Sequence, residues 1–114
     1  MKLKAIQVAE NEALSSSMHQ RHGAVVMKNG KIIGVGHNKA KCKWPSIHAE
    51  MDAIKSSGDV TDGHVYVVRV SSCGEMRNSK PCNLCLNYMR RCGITKVYWS
   101  TNDCGVECCR VQDM

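Results

Sequence analysis

Two cysteines spaced as Cys82-x-x-Cys85 carry the strongest chemical signal in this sequence. Along a helix that spacing is about one turn, so both sulfurs face one side. An imidazole from His48 would add a third donor, and these three fill three corners of the tetrahedron that Zn²⁺ prefers. A structural zinc site closes the fourth corner with another protein ligand, whereas a catalytic site leaves it to water. Both segments read as helix starts, whose unpaired N–H groups carry partial positive charge and favour thiolate over thiol. Glu50 follows His48 by two positions. Residues i and i+2 of a helix diverge by roughly 200°, which places Glu50 badly for chelation beside His48 but well for overhanging a water at the open corner. Zinc lowers the pKa of its water toward ~7, and a neighbouring carboxylate can take that proton and deliver it to a leaving group. His48, Glu50, Cys82 and Cys85 therefore read as hydrolytic chemistry rather than as a metal clip.

Hydrophobic periodicity supplies the elements that must position these residues. Leu3, Ile6, Ala9, Ala13 and Leu14 mark one face of an opening helix that Ser15–Ser17 should end. Ala24–Lys28 and Lys31–Gly36 flank Asn29-Gly30, a dipeptide that accepts the positive φ of a tight hairpin. After a basic loop, Lys39–Lys43, the Pro45-Ser46 step opens a helix with Ala49, Ala53 and Ile54 on its buried stripe, and Gly58-Asp59 stops it near Ser57. His64–Val70 is a nearly continuous run of β-formers, the pattern of a central strand covered on both faces. Pro81 opens a second helix in which Cys82, Cys85, Leu86, Met89 and Cys92 recur at helical spacing, and Gly93 closes it. Ile94–Ser100 is another strand. If both strand–helix–strand crossovers step the same way, both helices lie on one face with their N-termini side by side. The link Thr101–Gly105 is too short for a crossover helix, so the strand over Val106–Val111 must run antiparallel.

Composition bounds the answer. The 114 residues fit one domain, expected over 1–114, and 43% apolar with 23% charged residues excludes disorder and fibrous repeats. No apolar stretch approaches the ~20 residues of a bilayer span and no secretion signal opens the chain, which predicts an intracellular, soluble, cytoplasmic protein without membrane contact. Eight cysteines in such a chain favour thiolates on metal, with disulfides as the alternative for the six outside the Cys82/Cys85 pair. The net charge of +6 agrees with an anionic partner, phosphate or nucleic acid, without specifying one.

His48-Ala49-Glu50 followed by Pro81-Cys82-Asn83-Leu84-Cys85 resembles the zinc-dependent cytidine/deoxycytidylate deaminase superfamily. Thirty residues separate Glu50 from Pro81, room for the rest of a helix, a strand and a loop. The resemblance implies an α/β fold, a mixed sheet of about five strands with the two zinc-binding helices on one face and the last strand antiparallel. It implies Zn²⁺ on His48, Cys82 and Cys85, with Glu50 as proton shuttle. Water would attack the amine-bearing ring carbon, Glu50 would protonate the ring nitrogen and then the amine, and cytosine would become uracil with loss of ammonia. The resemblance also places Asn38 on the substrate sugar or base, and main-chain groups around Ala49 on the base edge.

Features that choose among substrates divide. Free-nucleoside deaminases usually carry Cys where His48 stands, and an acidic residue where Ala40 stands. Lys39, Lys41, Lys43, Arg77 and Lys80 would meet phosphate or form a solvated rim. By the same resemblance, an antiparallel last strand implies a small substrate rather than a polynucleotide. The expected substrate is CMP, dCMP or a related nucleoside. A tRNA or single-stranded DNA deaminase and a non-catalytic zinc-stabilised binding module are the alternatives, and homo-oligomers are expected from the family. His19, His22, His37 and His64 read as ordinary surface or strand residues, Cys92 as a core thiol, and Cys42 and Cys73 as loop thiols. Trp44 either stacks on a base or caps the helix. Cys104, Cys108 and Cys109 suggest a second metal clip, against which adjacent strand residues point to opposite faces.

Overall fold

The computed structural model describes residues 2–16, 20–39, 48–103 and 105–114. The expected positions of Ser17, His19, Ala40, Lys41, Cys42, Lys43, Trp44, Pro45, Ser46 and Cys104 lie outside these described residues. The elements run α1 (Lys2–Leu14), β1 (Arg21–Lys28), β2 (Lys31–His37), α2 (Ala49–Ser57), β3 (His64–Val70), β4 (Met76–Arg77), α3 (Asn83–Cys92), β5 (Lys96–Ser100) and β6 (Val106–Arg110), with a short 3-10 turn at Val111–Asp113.

The sheet has the order β2-β1-β3-β5-β6, with β4 added on β3. β3 is central, pairing antiparallel with β1 and parallel with β5. β6 pairs antiparallel with β5, as the short Thr101–Gly105 link requires. The β1–β2 turn has Asn29 at φ 53° and Gly30 at φ 77°, the two positive values that a two-residue hairpin needs.

Alternation along the strands divides the interior into two halves. Ala24, Val26, Val65, Val67, Val97 and Trp99 face α2 and α3 and form one core with Ala49, Ala53, Ile54, Cys85, Leu86 and Met89. Val25, Met27, Tyr66, Val68, Val70 and Tyr98 face the other way and pack on Ala5, Ala9 and Ala13 of α1. The result is three layers, with α2 and α3 together on one face. The α1 stripe differs from expectation. Ala5, Ala9 and Ala13 are fully buried, whereas Leu14 is 49% exposed because the helix ends there and its side chain clears the sheet.

Two glycines set α2 down on the sheet. A Cβ at Gly36 would stand 2.4 Å from the Ala53 nitrogen, and one at Gly34 would stand 1.8 Å from Ser57 Oγ. Asp52 fastens the same contact, its carboxylate accepting from the His37 N–H at 3.2 Å and pairing with Lys39 at 3.1 Å. Among the described residues no helix is long and apolar enough to cross a membrane.

Candidate metal and catalytic centre

His48 and Cys82 occupy equivalent places, each as the extended N-cap residue of its helix. Their carbonyls accept the first intrahelical bonds, from Asp52 and Leu86, both at 3.0 Å. Ser, Thr, Asp or Asn would normally also fold a side-chain oxygen onto the helix start. Neither His48 nor Cys82 makes such a bond, so both side chains are left to turn toward one another. Among the described residues α2 begins at Ala49, and the expected start at Pro45-Ser46 lies outside them. Glu50 is then the second helical residue beside an extended His48, rather than two steps along the same helix.

Cys85 comes from the first turn of α3 and is fully buried. Its Sγ lies 3.2 Å from His48 Nδ1, and Cys82 Sγ lies 3.6 Å from the same nitrogen. One donor atom from each of the three falls within 4.8 Å of the others, the one such cluster among the described residues. Zn–S near 2.3 Å and Zn–N near 2.0 Å on a tetrahedron put sulfur and nitrogen about 3.5 Å apart, so the spacing and the donor set both fit zinc.

The electrostatics also call for a cation. Burial, followed by the neighbouring Glu50 and Cys82, drives the Cys85 thiol far above its usual range. Burial and the acidic neighbours thus oppose the partial positive charge of the helix start at Cys85, and a cation held between the three donors would supply the counter-charge that favours the thiolate.

Glu50 is 4% exposed. Burial raises its carboxyl above the ordinary carboxylate range, opposed by its backbone hydrogen bond, the charge of His48 and a bond to the Cys85 thiol. Its Oε1 has no hydrogen-bond partner. An orphaned buried carboxyl oxygen is costly unless something arrives to use it. Ala49, between His48 and Glu50, is also fully buried and packs in the core beneath α2 and α3.

Asn38 lies just past the end of β2, 9% exposed. Its Oδ1 accepts from the His22 N–H at 2.9 Å and its Nδ2 donates to the Gln20 carbonyl at 2.6 Å. The amide thus splices β2 to β1 and keeps one further N–H and one further lone pair.

Sequence reasoning passed over two residues near this centre. His22 shares the strand parity of Ala24 and Val26 and therefore faces α2 and α3; burial, then Arg69, then His48 push it down to about 4. Arg69 is its direct cross-strand neighbour. It is the one Lys or Arg within His64–Val70, and its Nε is buried without a partner. A charge inside a strand covered on both faces was the available signal.

The other thiols stand apart. The six described cysteines are all free, with Cys73 and Cys108 exposed and Cys92 and Cys109 partly buried. Cys92 and Cys109 pack against the α2/α3 core. Cys108 and Cys109 alternate across β6, and neither joins a metal cluster among the described residues.

Comparisons with known proteins agree with this centre. Residues 1–101 match the model of the cytidine and deoxycytidylate deaminase zinc-binding region. A riboflavin biosynthesis protein RibD from Buchnera aphidicola subsp. Baizongia pistaciae is 31% identical over 101 residues, covering 88% of this chain but 25% of that protein. A diaminohydroxyphosphoribosylamino-pyrimidine deaminase from Buchnera aphidicola subsp. Schizaphis graminum is 27% identical over 79 residues, covering 69% of this chain and 52% of that one. The chain thus spans about a quarter of the RibD relative and about half of the other. Among solved structures, cytidine deaminase from Burkholderia pseudomallei superposes with a TM-score of 0.78 at 20% identity, over 99% of this chain and 94% of that one. The dCMP deaminase of cyanophage S-TIM5 gives 0.71 at 22% identity, over 88% and 82%. The fold is the one these enzymes share.

Proposed function

The chain belongs to the cytidine and deoxycytidylate deaminase zinc-binding family, and from that premise we propose that residues 1–114 act as one hydrolytic deaminase domain. Its substrate is a small cytosine-type base, as CMP, dCMP or a related nucleoside, and its products are the uracil-type compound and ammonia. The observation that carries this reading is the meeting of His48, Cys82 and Cys85 donors within 4.8 Å beside a buried Glu50 with one orphaned oxygen.

His48 Nδ1 and the Cys82 and Cys85 sulfurs hold the metal. Bound there, zinc supplies a Lewis acid that makes water nucleophilic at neutral pH. Glu50 moves the protons. Its carboxylate takes one from the attacking water and passes it to the ring nitrogen, then carries the next to the departing amine. One C–O bond forms, one C–N bond breaks, and the amine leaves as ammonia. Burial supports this role, because a carboxyl held above the ordinary carboxylate range is a better proton acceptor and so can both take and pass on a proton. Backbone groups at Ala49 hold the base edge, and the remaining N–H and lone pair of Asn38 meet the sugar or base.

The antiparallel β6 supports a small substrate over a polynucleotide. A second reading rests on the relatives named for diaminohydroxyphosphoribosylamino-pyrimidine, in which an amine is lost from a different pyrimidine. Ammonia release by the zinc-loaded protein across bases, nucleosides, nucleotides, that pyrimidine and oligonucleotides separates these readings. Turnover of a cytosine mononucleotide or nucleoside is expected, and silence across the panel removes the proposal.

A further inference from the structure

Two buried side-chain atoms among the described residues lack any hydrogen-bond partner. One is Glu50 Oε1, which the proposed chemistry uses, and the other is Arg69 Nε, which it does not. A buried guanidinium N–H without an acceptor is rare enough in folded proteins to need a reason. Among the described residues no acidic side chain pairs with Arg69, whereas Lys28, Lys39, Arg77 and Arg110 each have one.

Position makes the vacancy informative. Arg69 follows Val65 and Val67 on the side of β3 that faces α2 and α3, at the end of the sheet where Asn38 closes β2 onto His22. Directly opposite it stand His22 on β1 and Arg77 on β4. Basic groups placed opposite one another across strands repel. Arg77 is relieved by Glu75 at 3.3 Å, while Arg69 faces the row with nothing to offset it. His22, the β1 member of the row, is close enough to feel the charges of both Arg69 and His48. His22 and Arg69 thus stand side by side on the sheet face that α2 and α3 cover, the face from which the three metal donors come.

We infer that Arg69, with His22 beside it, binds the phosphate of a mononucleotide substrate, so that the centre selects the phosphorylated pyrimidine over its free nucleoside. The fork of guanidinium N–H groups suits a phosphate monoester, and the phosphate accepts from the Nε–H that the fold leaves without a partner. Arg69 is a specificity-determining group at the far end of the substrate from the reacting carbon. The inference rests on the deaminase reading of the same centre, and its test includes a measurement that needs no turnover.

The experiment compares zinc-loaded wild type, Arg69→Gln and Arg69→Lys, with Lys31→Gln, an exposed basic residue at the opposite end of β2, as charge control. The first readout is kcat/KM for CMP divided by that for cytidine; the second is calorimetric binding of UMP and of inorganic phosphate. Arg69→Gln should lower the CMP-to-cytidine ratio by about 10- to 100-fold, Arg69→Lys should recover part of it, and Lys31→Gln should leave it at the wild-type value. UMP and phosphate affinity should fall in step. Equal losses for CMP and cytidine in folded, zinc-bearing Arg69→Gln would overturn the inference, as would tighter binding of a single-stranded oligonucleotide than of CMP at the same salt. If no cytosine compound turns over, the deaminase reading fails separately; UMP and phosphate binding unchanged by Arg69→Gln then sinks the phosphate site, and binding weakened by it upholds the site alone. Should Arg69→Gln not fold, the Arg69→Lys comparison decides, since a point charge cannot reproduce the fork.

Discussion

His48 Nδ1 lies 3.2 Å from Cys85 Sγ, although the two residues are 37 positions apart in the chain. Nothing local forces that approach. It follows from α2 and α3 lying side by side on one face of the sheet and starting at the same end of it, with a residue that does not cap at each cap position.

Removing one of the three donors should release the metal. Cys85→Ser and His48→Ala are each expected to weaken zinc by more than the about 10- to 100-fold typical of losing a group that merely supports a ligand. Competition against a chromogenic chelator measures this. Retention of one zinc per chain at wild-type affinity in both variants would remove the assigned ligands.

Stripping zinc should also lower thermal stability, because only the folded chain assembles the three donors. A free zinc concentration of about 100 times its dissociation constant contributes about 2.7 kcal/mol. Melting curves with and without chelator should separate by several degrees, and the shift should vanish in Cys85→Ser. Superimposable wild-type curves would mean that no metal couples to folding here.

The seat of α2 on β2 links the fold to the centre. Gly36→Ala puts a Cβ only 2.4 Å from the Ala53 nitrogen in rigid backbone. A stability loss of about 1–3 kcal/mol is expected from overpacking. Because His48 caps that helix, zinc affinity should fall with it. A variant destabilised with zinc affinity intact would uncouple the helix position from the metal.

Legibility in the sequence followed the range of the signal. Asn29-Gly30, the apolar run His64–Val70 and the Cys82–Cys92 stripe ending at Gly93 are local patterns, and each matches its element within a residue or two. The α1 stripe was misjudged toward Leu14 because Ala5 gives little hydrophobic contrast. β4 escaped because Met76-Arg77 is too short for any period. The His48, Cys82 and Cys85 cluster is readable from residue type and spacing, whereas the facing of His22 and Arg69 is not, since it depends on the β1–β3 register, which no short window encodes. That Asn38 spends half of its amide joining β1 to β2 is likewise visible only in three dimensions.

His22 gives the protein a distinct response to acid. Burial, then Arg69 on β3 and His48 at the α2 cap, depress it from 6.5 to about 4. Above pH 6.5 it is neutral folded and unfolded, and its contribution is complete. As pH falls from 6.5 toward 4, the unfolded chain takes a proton that the folded one refuses, so stability declines by at most about 3 kcal/mol. Urea midpoints at pH 7 and pH 4.5 should therefore drop further for wild type than for His22→Gln, other acid-sensitive groups being common to both. Parallel decline would contradict the assignment.

The central claim is that a metal held by His48, Cys82 and Cys85 works with a proton carried by Glu50, and Glu50→Gln tests it most directly. The substitution keeps shape and removes the titrating group. With zinc content matched to wild type, ammonia release from CMP or whichever panel compound wild type uses should fall by about 10²- to 10⁴-fold. Release within a few-fold of wild type at equal zinc would show that Glu50 does not carry the proton.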